Sequence, residues 1–231
     1  MLDLSRIKAI TLDLDDTLWP IWPTIERAEQ VLADWLGQHA PASAALFADT
    51  AARHAIRTQL VASRPGFKHN LSAQRRETIR EVLRRCGDDP LLAEAAFDVF
   101  FAERNRVTLY DDALAGLVFL ASRLPVVALS NGNADIHGIG IGAYFKASVS
   151  AQQFGVGKPD PRIFHAAAQA AGALPHEVLH VGDDAALDVL AALDCGMQTV
   201  WVNRTGHAWA HAAQPHLSVT TLAELCDLLG A

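Results

Sequence analysis

LDLDDTLWP (Leu12–Pro20) places three carboxylates in four residues and follows them with Thr and a Trp-Pro pair. The run it closes, IKAITLDL (Ile7–Leu14), reads as a buried strand, so Asp13, Asp15 and Asp16 are delivered to the edge of a core. Carboxylates held there repel one another and lose hydration. A divalent cation, together with a reaction that needs an oxygen nucleophile, makes such crowding tolerable.

Outward from that stretch, strands and helices alternate. PVVALSN (Pro125–Asn131), ASVSA (Ala147–Ala151), EVLHVGDD (Glu177–Asp184) and QTVWVN (Gln198–Asn203) read as further strands. Helices are expected between them. Asp111 or Asp112 can cap one over 114–124, and Asp160-Pro161 opens another over 162–171. Thr221 and Glu224 form a capping box for a C-terminal helix. This alternation predicts right-handed βαβ units and an α/β fold, a doubly wound parallel sheet of Rossmann-like type. Residues 20–106 break the pattern. Glu26–His39, Ala42–Ser63, Ser72–Cys86 and Leu91–Arg104 carry helical periodicity with no strand among them. An all-helical domain inserted after the first strand is expected, with 1–19 and 107–231 forming the catalytic core.

Composition bounds the function. In 231 residues, 51% are hydrophobic and 19% charged, which is ample for a packed core and too apolar for disorder. The net charge of −7 disfavours nucleic-acid binding. The helical insert is nearly balanced, with 12 Lys/Arg against 11 Asp/Glu, so the acid excess lies in the core. The start MLDLSRIKAITLDLDD lacks the basic and apolar pattern of a signal peptide, and ALAGLVFLAS (Ala113–Ser122) is too short to span a bilayer. Three widely spaced cysteines offer neither a disulfide framework nor a metal motif. A cytoplasmic monomer or homodimer without membrane partners is expected.

In open parallel sheets ligands bind beyond the carboxyl ends of the strands, and polar residues collect there. Strand one ends in Asp13, Asp15 and Thr17, strand two in Ser130-Asn131-Gly132, and strand four in Asp183-Asp184 with Asp188 following. Lys158 lies in the loop after strand three. The set suits phosphoryl transfer through an aspartyl-phosphate. Asp13 is the expected nucleophile and Asp15 the acid and base. Asp13, a backbone carbonyl at Asp15, and Asp183 are candidate Mg²⁺ ligands. Asp184 can either cap the next helix or join the metal shell, and Asp188 can position Lys158 or metal-bound water. Ser130, Asn131, Gly132 and Lys158 are the expected phosphate-binding residues. Asp16 is expected to order the turn. His207 and His211 have i, i+4 spacing but no carboxylate between them, and read as an exposed helical turn.

At these residues the chain resembles the haloacid dehalogenase superfamily of hydrolases. DLDDT matches its nucleophile motif, SNG the second motif, Lys158 the third and GDDAALD the acidic fourth. The resemblance implies a Rossmann-like core, Mg²⁺ dependence and a helical cap inserted after the first strand. LSNGNADI, GKPDPRIF and VLHVGDDAALDVLAALDCGMQTVWVN are also similar to bacterial flavin mononucleotide phosphatases. The expected substrate is therefore a small-molecule phosphate ester, with flavin mononucleotide a candidate. Sugar phosphates or nucleotides are alternatives, as is 2-haloacid dehalogenation on the same scaffold. Dehalogenation needs neither an acid such as Asp15 nor a metal. A phospho-receiver domain would carry its acceptor after a later strand and lack the insert. Trp19 and Trp22, beside the nucleophile loop, and Phe67, Lys68 and His69, in the insert's longest loop, are candidate substrate contacts.

Overall fold

The computed structural model describes residues 2–230. Six strands, β1 (Ala9–Leu12), β2 (Val126–Ser130), β3 (Ala147–Ser150), β4 (Val178–Gly182), β5 (Gln198–Val202) and β6 (Leu217–Val219), form one sheet in the order β3-β2-β1-β4-β5-β6. Every neighbouring pair is parallel. The fold is a Rossmann-like α/β sheet. β1, β2, β4 and β5 are buried throughout, as strands covered on both faces must be, which explains their continuous apolar runs. The two edge strands are partly exposed.

The chain divides into two compact units, one formed by the segment up to Pro20 together with the chain from Thr108 onward, the other by Ile21–Val107. The second unit is helical: α1 (Ile21–His39), α2 (Pro41–Ala48), α3 (Thr50–Ser63), α4 (Leu71–Cys86) and α5 (Leu92–Arg104). Ala28, Leu32 and Leu36 of α1 share a buried cluster with Ile79, Val82 and Leu83 of α4 and Ala93, Ala96, Phe97 and Phe100 of α5. Their three- and four-residue spacing gives each helix one apolar stripe to bury. The single helix expected over Ala42–Ser63 is two. Asp49 ends α2 in extended backbone and caps α3, accepting from Ala52 N at 3.0 Å.

In the first unit the remaining helices are α6 (Ala113–Arg123), α7 (Ile136–Ile139), α8 (Ala151–Phe154), α9 (Pro161–Ala171), α10 (Ala191–Asp194) and α11 (Leu222–Gly230). Asp160 caps α9 through Arg162 N, with Pro161 first in the helix. α9 buries Ile163, Phe164, Ala167 and Ala168 in one cluster with Ala9, Val127, Leu129 and Val178 of the sheet. Asp112 does not cap its own helix. Its carboxylate pairs with Arg204 and accepts from Leu222 N, which opens α11. Glu224 reaches Thr220 N, while Thr221 Oγ1 accepts from Glu224 N, so the expected box is offset by one residue on one side. No described helix is long and apolar enough to cross a membrane.

Candidate active site

β1 sits at the centre of the sheet, paired with β2 on one side and β4 on the other. The connection from β1 runs to β2 and that from β3 runs to β4, so the winding direction reverses at β1. A ligand crevice is expected beyond the carboxyl ends at that point. Asp13 follows β1 there, with its N–H donated to Val181 O at 2.9 Å. Asp183 follows β4.

Lys158 is the hub of the side-chain arrangement. Its Nζ lies 2.6 Å from Asp13 Oδ1 and 2.5 Å from Asp188 Oδ1, and all three residues are buried. One carboxylate oxygen from each of Asp13, Asp183 and Asp188 lies within 4.8 Å of the others. Among the described residues this is the one group of three or more such side chains able to hold a metal ion. Three carboxylates thus face one ammonium. Burial, with Asp188 and Asp183 alongside, pushes the Asp13 carboxyl well above the usual carboxylate range, against the opposing pull of Lys158. Burial and Asp188 raise Asp183 to about 7. Asp188 behaves oppositely: despite its burial, Lys158 and His180 hold its carboxyl well below the ordinary value. Burial alone would lower the Lys158 ammonium, yet Asp13 and Asp188 hold it above its ordinary value. The donor set is all oxygen and carries an uncompensated negative charge, which fits a hard divalent cation.

Backbone and second-layer contacts fix these groups. Asp188 sits in a π-helical turn, Ala185–Leu190, a distortion frequent at functional sites. Its Oδ2 accepts from Asp184 N at 3.0 Å. Gly182 makes the approach possible, because a Cβ there would overlap Asp188 Cγ. Asp184 does not join the carboxylate group. Its Oδ1 accepts from Ala186 N and Leu187 N, the capping role, and the buried trio is completed by Asp188 instead. Thr17 Oγ1 donates to Asp183 Oδ1 at 3.0 Å, and Trp201 Nε1 donates to Asp183 O at 2.7 Å.

Ser130, at the end of β2, is buried and accepts from Gly132 N through Oγ. Asn131 clamps the backbone of Lys158 from both sides: its Nδ2 donates to Lys158 O and its Oδ1 accepts from Lys158 N. Asp16 has φ 61, a left-handed turn residue, as expected. Trp19 is fully buried and its indole N–H donates to Asp15 Oδ1 at 2.9 Å, because the turn at Asp16 folds the chain back. Trp22, Phe67, Lys68 and His69 belong to the helical unit. Trp22 is 70% exposed. The Phe67 and Lys68 carbonyls accept from Gln74 Nε2, and Arg64 lies over the Phe67 ring at 5.3 Å. His207 and His211 lie on irregular chain rather than a helical turn.

Three residues escape the motif reading. His180 is buried within β4, with Nδ1 2.8 Å from Thr11 Oγ1 and Nε2 3.1 Å from Asp188 Oδ1. Burial lowers its pKa and disfavours the charged ring, against the opposing pull of Asp188. With Nε2–H donated to Asp188, Nδ1 accepts from the Thr11 hydroxyl. A histidine inside the apolar run VLHVG was the available signal. Arg204 donates through Nε to Thr17 O at 3.0 Å, pairs with Asp112 through both Nη atoms, and stacks over Tyr110 at 4.0 Å. It thereby fixes the loop that carries Thr17. Trp201, on β5, is the third.

Fold and site together place a group of buried carboxylates at the carboxyl edge of a parallel α/β sheet. A family model for haloacid dehalogenase-like hydrolases matches residues 7–196, and the chain belongs to that family. It is 31% identical over 234 residues to the 5-amino-6-(5-phospho-D-ribitylamino)uracil phosphatase YigB of Escherichia coli K12, covering 98% of each chain. It is 36% identical over 157 residues to a phosphoserine phosphatase of Thermus thermophilus, covering 65% of this chain and 63% of the relative. Among solved structures, one described as 2-haloacid dehalogenase from Pseudomonas syringae pv. Tomato superposes with a TM-score of 0.92 at 35% identity, covering 97% of this chain and 98% of the other.

Proposed function

We propose that the chain is a phosphomonoester hydrolase that works through an aspartyl-phosphate on Asp13, with Mg²⁺ as cofactor. Its preferred esters carry a flat nitrogen heterocycle on the leaving group. The observation that carries the reading is the buried Asp13, held 2.6 Å from Lys158 and grouped with Asp183 and Asp188, with Asp15 oriented two residues on.

Asp13 attacks phosphorus through a carboxylate oxygen, and the bond from phosphorus to the ester oxygen breaks. The electron pair stays on the leaving oxygen, which takes a proton from Asp15. Water then attacks phosphorus and gives its proton to Asp15, and the pair from the cleaved phosphorus–oxygen bond returns to Asp13. Lys158 offsets negative charge beside the nucleophile, and Ser130 with the following backbone amides offers hydrogen bonds to the phosphoryl oxygens. Asp13, Asp183 and Asp188 would hold the cation, with a backbone carbonyl at Asp15 as a further ligand, and a bound Mg²⁺ would withdraw charge from the phosphoryl group.

One similarity supports the leaving-group preference. The full-length relative YigB acts on a ribityl phosphate attached to a pyrimidine. Flavin mononucleotide shares the ribityl phosphate on a flat ring and belongs in the same test. The dehalogenase reading draws on the description of the Pseudomonas structure. A departing halide needs no proton, however, and that reading leaves both Asp15 and the surplus of carboxylates without a role.

The test is a panel: the ribitylaminouracil phosphate, flavin mononucleotide, a hexose phosphate, glycerol phosphate and 2-chloropropionate, with and without chelator. The expected result is phosphate release that chelation abolishes reversibly and that Mg²⁺ restores better than Ca²⁺, whose larger and looser shell misplaces the nucleophile. Both heterocyclic esters should exceed the aliphatic ones in kcat/KM. Halide release without phosphate release overturns the proposal. Equal kcat/KM across all four esters removes the heterocycle preference and leaves the phosphatase.

A further inference from the structure

The loop that carries Asp15 folds back on itself. Asp16 takes a left-handed conformation, Asp16 N donates to Trp19 O at 2.7 Å, and Leu18 N donates to Leu14 O at 2.8 Å. The chain thereby returns Trp19 to Asp15 as a short bridge. The Trp19 ring is fully buried, so its indole N–H needs a partner, and it donates to Asp15 Oδ1 at 2.9 Å. The surrounding anchors are independent of Asp15. Thr17 is buried with its carbonyl held by Arg204, and the Leu18 carbonyl accepts from Tyr110 N at 2.9 Å. A rigid, packed indole therefore points its one donor at one oxygen of a carboxyl group.

We propose that Trp19 is a positioning residue, one that orients the Asp15 carboxyl for proton transfer to the leaving oxygen. The inference rests on the acid–base role of Asp15 given above. A hydrogen bond from a locked donor restricts rotation of the carboxyl, and a proton donor works only within hydrogen-bond reach of the atom it serves. The bond is buried on the indole side, and the Oδ1 it meets can accept it whether or not the other oxygen carries the proton. Trp19 itself does not touch the reacting atoms in this account. Its contribution appears only when the leaving oxygen requires a proton in the transition state.

That condition supplies the test. An alkoxide leaving group depends on protonation, whereas a nitrophenolate leaves without it. The first chemical step is measured under single turnover with Mg²⁺, using glycerol phosphate and p-nitrophenyl phosphate. Wild type is compared with Trp19→Phe and with a protein carrying benzothienylalanine at position 19. The latter replaces the indole N–H by sulfur with nearly the same shape, so it keeps the packing where Trp19→Phe leaves a gap. The expected result is a loss of about tenfold or more on glycerol phosphate and less than about threefold on p-nitrophenyl phosphate, with KM little changed. Parallel losses on both esters in the benzothienyl protein, or no loss on the alkyl ester, overturn the inference while the phosphatase reading stands. A wild-type protein inert towards both esters overturns that reading and the inference with it.

Discussion

Asp13→Asn should fold as the wild type does and hydrolyse phosphate esters more than about 10⁴-fold more slowly, the scale on which removing a covalent nucleophile acts. An amide oxygen keeps the hydrogen-bond acceptor that Lys158 Nζ now meets at 2.6 Å. It loses the charge and nucleophilicity that attack on phosphorus needs. The fold should not suffer, because the change removes one of three carboxylates crowded around one ammonium. Burial together with Asp188 and Asp183 already disfavours the ionised form of Asp13. In metal-free buffer the thermal midpoint of the variant should therefore equal or exceed that of wild type. Calorimetry and a phosphate-release assay on one preparation check both halves. Near-normal turnover by folded Asp13→Asn protein, or a large fall in its midpoint, contradicts this account of the site.

The second large effect is expected from Lys158→Met, and it falls on stability as well as rate. Met retains much of the side chain's length and removes the one ammonium that lies between Asp13 and Asp188. Both carboxylates then stay buried without their cation. Breaking a buried ion pair by deleting one partner costs about 3–5 kcal/mol. In a chain of this size each kcal/mol moves the midpoint by roughly 2–4 °C, so a fall of about 6–20 °C is expected for the unit that contains the sheet. Turnover should drop by about 10²–10³-fold, the range seen when a preorganised charge-stabilising group is lost. Differential scanning calorimetry reads the first effect and single-turnover kinetics the second. A variant with wild-type midpoint and rate would show that Lys158 neither balances the carboxylates nor serves the reaction.

Much of this architecture was legible in the residues. Continuous apolar runs ending in Asp, Ser, Gly-Asp-Asp or Asn marked four buried parallel strands and the side of the sheet on which polar groups collect, because strands covered on both faces have no solvent-facing positions to fill. β6 was not legible: Leu217–Val219 is a three-residue edge strand, too short for a period to register. The break at Asp49 was written in the sequence as a cap, but apolar spacing continues across it and masks the stop. Trp19 shows a different limit. Its neighbours place an aromatic ring close to Asp13 in sequence, yet only the backbone turn at Asp16 decides that the ring faces inward and bonds Asp15. His180 and Arg204 act through partners distant in sequence, Thr11 and Asp188 for one, Thr17 and Asp112 for the other. No local pattern contains such pairings.

The covalent intermediate on Asp13 is tested most directly by trapping it. Asp15→Asn lacks the base that activates water for the second step, while an activated aryl phosphate needs little acid help in the first, so phosphorylated protein should accumulate. The variant is mixed with p-nitrophenyl phosphate and Mg²⁺, quenched in acid and reduced with borohydride, which converts an aspartyl-phosphate to homoserine. Peptide mass spectrometry then locates the change. Homoserine should stand in place of Asp13 in an amount matching the burst of nitrophenolate. A burst with Asp13 unmodified, or with the modification on another carboxylate, would contradict it.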